Sequence, residues 1–272
     1  GLAACQQQHA TSEGTNQRQT SSAKVPWKAS YTNLNNQVST EEVKSLLSAN
    51  LDPNSVDAFF NLVNDYNTIV GSTGLSGDFI SFTHTEYDVE KISHLWNQKK
   101  GDFVGTNCRI NSYCLLKNSV TIPKLEKNDQ LLFLDNDAID KGKVLNSQDK
   151  EEFDILFSRV PTEATTDVKV HAEKMETFFS QFQFNDKARM LSVVLHDNLD
   201  GEYLFVGHVG VLVPADDGFL FVEKLTFEEP YQAIKFASKE DCYKYLRTKY
   251  ADYTGDGLAK PFIMDNDKWV NL

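Results

Sequence analysis

Hydrophobic residues recur at two different spacings along this chain, and the change of spacing divides it into two parts. Up to about residue 186 they stand three and four positions apart, which is typical of amphipathic helices. Beyond that point the spacing becomes two, which is typical of antiparallel strands. The pattern predicts helices over 39–50, 53–69, 88–99, 129–139, 149–157, 168–184 and 241–250, and strands over 190–196, 203–213, 219–225 and 233–236. We therefore predict an α+β fold with helices packed on a C-terminal antiparallel sheet.

The first 24 residues carry few apolar side chains after a short opening motif. Leu2-Ala3-Ala4-Cys5 resembles the lipobox of bacterial lipoproteins, in which small residues precede the cysteine that receives the lipid. Residues 6–23 consist mainly of Gln, Ser, Thr, Asn and Gly, a composition that cannot bury a core. We predict a lipid on Cys5, a disordered tether over residues 1–24 and one folded domain over residues 25–272. The lipid would hold the domain on the extracellular face of the bacterial cytoplasmic membrane.

The segment from Gly105 to Leu116 places a cysteine at the start of a predicted helix. Thr106 or Asn107 can cap this helix, because their side-chain oxygens accept the free N–H groups of a first turn. Cys108 then lies at the positive end of the helix dipole, where the thiolate is favoured and the pKa of the thiol is lowered. This arrangement is typical of a reactive cysteine. The alternative is an inert cysteine that only packs in the core.

A histidine and a carboxylate are predicted to meet in a hairpin. A turn over residues 214–217 places Val213 opposite Gly218 and therefore His208 opposite Glu223, on one face of the sheet. A carboxylate beside an imidazole fixes its tautomer and stabilises its protonated form. We expect the pair to face the start of the cysteine helix, as the base and the orienting group of a nucleophilic site. The alternative is an exposed pair that only makes the sheet soluble.

Charge and composition argue against several classes of function. The net charge of −12 and the pI of about 4.9 argue against nucleic-acid binding, which needs a basic face. The sequence contains no Gly-rich phosphate loop and no run of about 20 apolar residues that could span a membrane. Its four cysteines show no Cys-x-x-Cys spacing, and its histidines are not closely spaced. We therefore expect neither a metal nor another cofactor.

The order of cysteine, histidine and acidic residue resembles that of papain-like cysteine hydrolases. The likeness is greatest to bacterial cell-wall peptidases of the NlpC type, whose nucleophile begins a helix and whose histidine lies in a His-x-Gly pattern, as in His208-Val209-Gly210. It implies a papain-like fold. Asn107-Cys108-Arg109 departs from the Asp-Cys-Ser-Gly usual in that family, with the bulky Arg109 in the place of Ser.

Over nearly its whole length the chain more closely resembles an uncharacterised bacterial lipoprotein family, domain of unknown function 4300. The likeness rests on three segments, which are Thr106-Asn107-Cys108-Arg109, Gly207-His208-Val209-Gly210-Val211-Leu212 and the run from Phe221 to Gln232. It implies a Gram-positive cell surface and brings no known activity.

These features lead to one hypothesis and two alternatives. The hypothesis is a monomeric, surface-anchored cysteine hydrolase that cleaves an amide bond, such as one in a stem peptide of peptidoglycan. Cys108 would attack the carbonyl, His208 would carry the proton and Glu223 would orient the imidazole. Asn107 would help to bind the oxyanion, and Arg109 would bind a substrate carboxylate or else form an internal salt bridge. The alternatives are a non-catalytic lipoprotein that binds a peptide or another ligand, and an inhibitor or adhesion module.

Overall fold

A computed structural model describes residue 25, residues 27–82 and residues 85–272 of the chain. The predicted lipid-attachment residue Cys5 and the predicted tether over residues 1–24 lie outside the described residues. No helix within the described ranges is long and apolar enough to cross a membrane.

Among the described residues, nine strands form one sheet, and all their pairings are antiparallel. Across the sheet the order is β2-β1-β7-β6-β5-β4-β8-β9, with β3 paired to part of β5. The strands are β1 (Ala29–Thr32), β2 (Ile80–Ser81), β3 (Val160–Pro161), β4 (Arg189–Asp197), β5 (Tyr203–Ala215), β6 (Gly218–Lys224), β7 (Tyr231–Phe236), β8 (Phe262–Asp265) and β9 (Lys268–Val270).

Helices fill most of the chain between β1 and β4. They are α1 (Gln37–Ser48), α2 (Pro53–Val70), α3 (Val89–Lys100), α4 (Cys108–Leu116), α5 (Phe133–Gly142), α6 (Ser147–Leu156) and α7 (Val168–Phe179), and α8 (Lys239–Tyr250) follows β7. Side-chain oxygens accept backbone N–H groups at the starts of most of them, as the capping preference of Asn, Asp and Ser requires. These caps are Asn36, Asp52, Asp88, Asn107, Asn146, Asp167 and Ser238.

The sheet is buried on both faces, and alternate residues of its strands join two different core clusters. The larger cluster contains apolar residues of α1 to α7, together with strand residues such as Val209, Val211 and Val222. The smaller cluster contains α8 and the opposite strand residues, such as Leu212 and Phe221. We call the first face of the sheet the α4 face and the second the α8 face.

The prediction of an α+β fold is confirmed, but the sheet is not purely C-terminal. β1 lies between β2 and β7, so residues before the helices complete the sheet. This strand is only four residues long, and such a short run gives little periodic signal. The predicted helix start at residue 39 is also wrong, because Asn36 caps α1. α7 ends at Phe179 rather than at residue 184.

Candidate functional site

Cys108 is the first residue of α4, as the sequence predicts. The side chain of Asn107 accepts a hydrogen bond from the N–H of Ile110 at 3.0 Å and so caps the helix. Before it, Gly105 has a φ of +92°, and a Cβ there would lie 3.2 Å from the Trp96 ring, which explains the glycine. The side chain of Cys108 is fully buried, and its sulfur is in a disulfide. The thiolate chemistry expected of Cys108 therefore requires its reduced form.

Asn107 and Arg109 both point inward, toward Asp135 of α5. The amide of Asn107 donates to the Asp135 carboxylate at 3.0 Å, and the Arg109 guanidinium donates two further bonds to it, each 2.8 Å long. Arg109 also donates to the backbone oxygen of Val206 in β5 at 3.1 Å. Of the two roles that the sequence left open for Arg109, the internal salt bridge is the one observed. The Asn107 amide is likewise engaged with Asp135 rather than directed at an oxyanion.

His208 and Glu223 meet, as predicted, although through a different register. Their side chains are fully buried and share a hydrogen bond of 2.6 Å between Nε2 and Oε1. The predicted turn over residues 214–217 is wrong, because the strands continue to a two-residue turn and Val213 pairs with Leu220. This shift of two residues keeps every side chain on its predicted face, so the contact survives.

The Glu223 carboxylate is held by two further donors. Tyr245 of α8 donates its hydroxyl at 2.5 Å, and the amide of Gln232 donates at 3.1 Å. Burial raises the pKa of Tyr245 well above its ordinary value, and the charge of Glu223 raises it further, so the phenol remains a donor. The His208 ring stacks on Tyr250, with ring centroids 4.9 Å apart. The sequence reasoning missed this set of groups.

Cys108 and the His208–Glu223 pair lie on opposite faces of the sheet. Val193, directly across from His208 on β4, belongs to the cluster of the α8 face, as does Tyr250. Cys108 belongs to the cluster of the α4 face. This corrects the expectation that the pair faces the start of the cysteine helix.

The sheet is open between the two halves of the candidate site. β5 and β6 stop pairing after Val211 and Val222, whereas β6 continues to pair with β7 as far as Lys224. The side chains of His208 and Glu223 span this opening from the α8 face. We call it the β5–β6 opening.

The start of α4 lies against the same opening from the other face. Arg109 reaches the backbone of β5 at Val206, and Lys224 of β6 reaches the backbone oxygen of Thr106 at 3.2 Å. Ser112, one turn further along α4, donates to the backbone oxygen of Val209 at 3.2 Å. The start of α4 and the His208–Glu223 pair therefore lie on the two faces of the same stretch of β5 and β6, where the two strands no longer pair.

A β-bulge in β5 decides which face His208 occupies. His208 and Val206 pair with consecutive residues of β4, so Gly207 is the extra residue between them. A Cβ at Gly207 would lie 2.3 Å from the Leu195 side chain, which explains why glycine occupies the bulge. Without the bulge, the alternation that turns Val206 toward α4 would turn His208 to the α4 face as well.

The remaining described cysteines are buried free thiols. Cys114 lies on α4, and burial raises the pKa of its thiol to about 12. Cys242 packs in the cluster of the α8 face, and burial raises the pKa of its thiol well above the ordinary value. Both therefore serve as internal references for the reactivity of Cys108.

The residues that surround the site differ in how far the sequence alone indicates them. Gln232 and Lys224 lie in the run from Phe221 to Gln232, so the motif contained them without indicating their roles. Asp135 and Tyr245 stand in ordinary amphipathic helices, where nothing distinguishes them from surface residues. The described residues contain no group of three or more His, Cys, Asp or Glu arranged to hold a metal ion.

The chain matches one family over most of its length. The match covers residues 30–270, and the family is described as Domain of unknown function (DUF4300). No curated protein and no solved structure matches the chain. The matched range includes both halves of the candidate site. The chain therefore belongs to the DUF4300 family.

Proposed function

We propose that this protein is a cysteine hydrolase of amide bonds, with Cys108 as nucleophile, His208 as base and Glu223 as orienting group. The enclosed 2.6 Å hydrogen bond between His208 and Glu223 carries the proposal. A carboxylate at Nε2 favours the tautomer that keeps its proton there, which leaves Nδ1 as the acceptor for a thiol proton.

The reaction begins with reduction of the Cys108 disulfide by a thiol reductant, which supplies two electrons and two protons. His208 then takes the proton of the Cys108 thiol through the β5–β6 opening, and the thiolate adds to the amide carbonyl carbon. The backbone N–H of Cys108 donates to the resulting oxyanion. The C–N bond breaks as His208 returns the proton to the leaving amine. Water, deprotonated by His208, cleaves the thioester, releases the acid and restores the thiol.

The proposed substrate is a peptide or a cell-wall fragment such as a stem peptide of peptidoglycan. This part of the proposal rests on the resemblance of the Cys108 and His208 motifs to the NlpC-type peptidases. Arg109 does not select the substrate, because Asp135 occupies its guanidinium. Arg109 stands where that family's motif has Ser. Because its side chain points inward, this difference does not argue against a similar substrate class.

A second candidate is a non-catalytic lipoprotein that binds a peptide or another ligand. The specific observation in its favour is that the side chain of Cys108 is fully buried, where a substrate carbonyl cannot reach it without a rearrangement. Its separation from His208 by the sheet also favours this candidate. In such a protein the His208–Glu223 pair would serve only to hold α8 on the sheet through Tyr245 and Tyr250.

One labelling experiment distinguishes the two candidates. The protein is reduced and treated with iodoacetamide between pH 5.5 and 9, and the alkylation rate of each cysteine is read from its peptide by mass spectrometry. For the hydrolase, Cys108 reacts well below the free-thiol pKa of about 8.5. His208→Ala moves the profile of Cys108 to higher pH, and Glu223→Gln moves it less in the same direction.

Cys114→Ser is the matched control and leaves the Cys108 profile unchanged. Circular dichroism of each variant verifies that the fold is retained before rates are compared. The hydrolase proposal fails if the alkylation rate of Cys108 follows the pH dependence of an ordinary thiol and neither substitution changes it. The binding lipoprotein is then favoured. For the hydrolase, incubation with peptidoglycan fragments also releases new amines, and Cys108→Ala abolishes that release.

We also propose that a lipid on Cys5 anchors the domain to the extracellular face of the cytoplasmic membrane in the form of the protein whose Cys108 is reduced. The support is the motif Leu2-Ala3-Ala4-Cys5 followed by a polar segment. The full precursor, expressed in a Gram-positive host, should partition into a detergent phase. Cys5→Ala should release the protein into the aqueous phase, and equal partitioning of the two forms would refute the anchor.

A further inference from the structure

Lys224 is a fully buried lysine whose side chain meets three backbone carbonyls. Its Nζ donates to the oxygens of Thr106 at 3.2 Å, Thr226 at 2.6 Å and Phe227 at 2.9 Å. In its protonated form Lys224 has three N–H donors and no acceptor, so the three carbonyls use its whole donor capacity. Two of these carbonyls belong to the turn between β6 and β7, and the third belongs to the segment that leads into Cys108.

Two tyrosine rings complete the surroundings of Lys224. Its Nζ lies 4.4 Å from the centre of the Tyr66 ring and 5.5 Å from that of the Tyr231 ring, within the range of cation–π attraction. The Tyr66 hydroxyl donates to the backbone oxygen of Glu228 at 2.6 Å, so the β6–β7 turn also fixes that ring. The turn, α2 and β7 thus enclose the ammonium.

The same set of contacts continues into the first turn of α4. Tyr231 donates its hydroxyl to Asn111 at 2.7 Å, and the Asn111 amide donates to the hydroxyl of Thr106 at 2.8 Å and to the backbone oxygen of Asn107 at 2.9 Å. Lys224 therefore contacts the cysteine segment directly at Thr106 and indirectly through Tyr231.

Burial makes the charged form of Lys224 unfavourable, because its ammonium loses its hydration. Burial lowers the pKa of Lys224 from 10.5 to about 7, and the charges of Glu228 and Glu229 oppose that shift. Methionine would fill the same volume without the desolvation cost, but it would leave three carbonyls without their donor. The three hydrogen bonds that hold these carbonyls in place therefore explain why this position is a lysine.

Lys224 also follows Glu223 directly, and alternation along β6 sends the two side chains to opposite faces. Glu223 holds His208 on the α8 face, and Lys224 holds Thr106 on the α4 face. We propose that Lys224 is a positioning residue, which fixes the segment carrying Cys108 against the end of β6. Its catalytic consequence rests on the proposed function, whereas the positioning itself can be measured without turnover.

Amide hydrogen exchange, read by mass spectrometry, tests this proposal. In Lys224→Met, exchange should accelerate at least about tenfold in residues 104–111 and 225–230, because both segments lose hydrogen bonds to a charged group. Exchange in α7 and β8 should stay unchanged. Lys224→Arg restores donors and charge and should recover most of the protection. Lys44→Met removes a lysine whose side chain is 45% exposed and serves as the control.

Lys224→Gln provides a second test should the Met variant fail to fold. It keeps two donors without the charge, and exchange in residues 104–111 should lie between wild type and Lys224→Met. A uniform acceleration across the chain, or unchanged exchange in residues 104–111 in a folded variant, would overturn the positioning role. If the exchange result holds while Cys108 labels as an ordinary thiol, Lys224 positions the segment but the hydrolase proposal fails.

Discussion

The guanidinium of Arg109 and the carboxylate of Asp135 form a two-pronged ion pair with 2.8 Å contacts from Nε to Oδ2 and from Nη2 to Oδ1. Their side chains are 2% and 0% exposed. Removal of one partner would leave the other buried without its counter-charge, at a cost of about 3–5 kcal/mol. We therefore expect Asp135→Ala to lower the free energy of unfolding by about that amount, as measured by urea denaturation.

An exposed pair of the same length provides the control for this prediction. Lys44 and Asp57 also approach to 2.8 Å, but their side chains are 45% and 57% exposed. Asp57→Ala should cost no more than about 1 kcal/mol. Similar losses for Asp135→Ala and Asp57→Ala would show that the enclosure of the Arg109 pair has no energetic consequence.

Gly210 lies where β5 and β6 pass close to each other. A Cβ at this position would lie 2.3 Å from Cζ of Phe221 and 2.8 Å from the backbone oxygen of Val222. Gly210→Ala should therefore destabilise the protein by about 1–3 kcal/mol through overpacking. At Gly255 the nearest atom to a Cβ, in Leu258, is 3.9 Å away. Gly255→Ala should leave the thermal midpoint nearly unchanged, and a comparable loss there would contradict the packing argument.

His171 should make the protein less stable in mild acid. Its Nδ1 shares a hydrogen bond with the Thr162 hydroxyl and its Nε2 with the backbone oxygen of Thr165, while its ring lies 4.4 Å from that of His196. Burial lowers the pKa of His171 below 6.5, and the neighbouring His196 lowers it further. As the pH falls below about 6.5, the unfolded chain binds a proton that the folded protein resists, so the free energy of unfolding decreases.

Urea denaturation between pH 5 and 8 measures this effect. In His171→Gln the free energy of unfolding should fall less steeply as the pH is lowered from about 6.5 to about 5. The substitution should also lower the free energy of unfolding at every pH. The exposed His94 is the control, and His94→Gln should leave the slope as it is in the wild type. Parallel slopes in the wild type and in His171→Gln would remove His171 as the source of acid sensitivity.

Lys224 should have an effect of the same sign as His171, but at neutral to alkaline pH. Its pKa is about 7 in the folded protein and about 10.5 in the unfolded chain, so the unfolded chain carries the extra proton between these values. In that window Lys224 should raise the free energy of unfolding by at most about 1.4 kcal/mol per pH unit. Lys224→Met should abolish this rise in denaturation measured from pH 7 to 10. A rise that persists in the variant would assign it to other groups.

The elements that the sequence predicted well are those that pattern and capping determine locally. Asp52 caps α2 and Asn107 caps α4, and both were recognisable because Asp and Asn precede an apolar periodic run. The contact between His208 and Glu223 survived an error of register, because a shift of two residues preserves the face.

The structural features that could not be predicted from the sequence depend on contacts between distant segments. The place of β1 beside β7 arises only when the chain returns after about 200 residues, and neither strand indicates its partner. The bulge at Gly207 depends on the Leu195 side chain of the neighbouring strand. The partner of Arg109 is on α5, and many acidic residues were equally available in the sequence.

The bulge at Gly207 also restricts the number of residues that β5 can contain. The strand pairs with β4 in one register before the bulge and in another after it, and both of its faces are buried. Loss or gain of one residue within β5 would move the side chains of half of the strand to the opposite face of the sheet. The exposed turn at 198–201, in contrast, has room for extra residues. We expect relatives of this chain to differ in length at such turns and to keep the number of residues in β5.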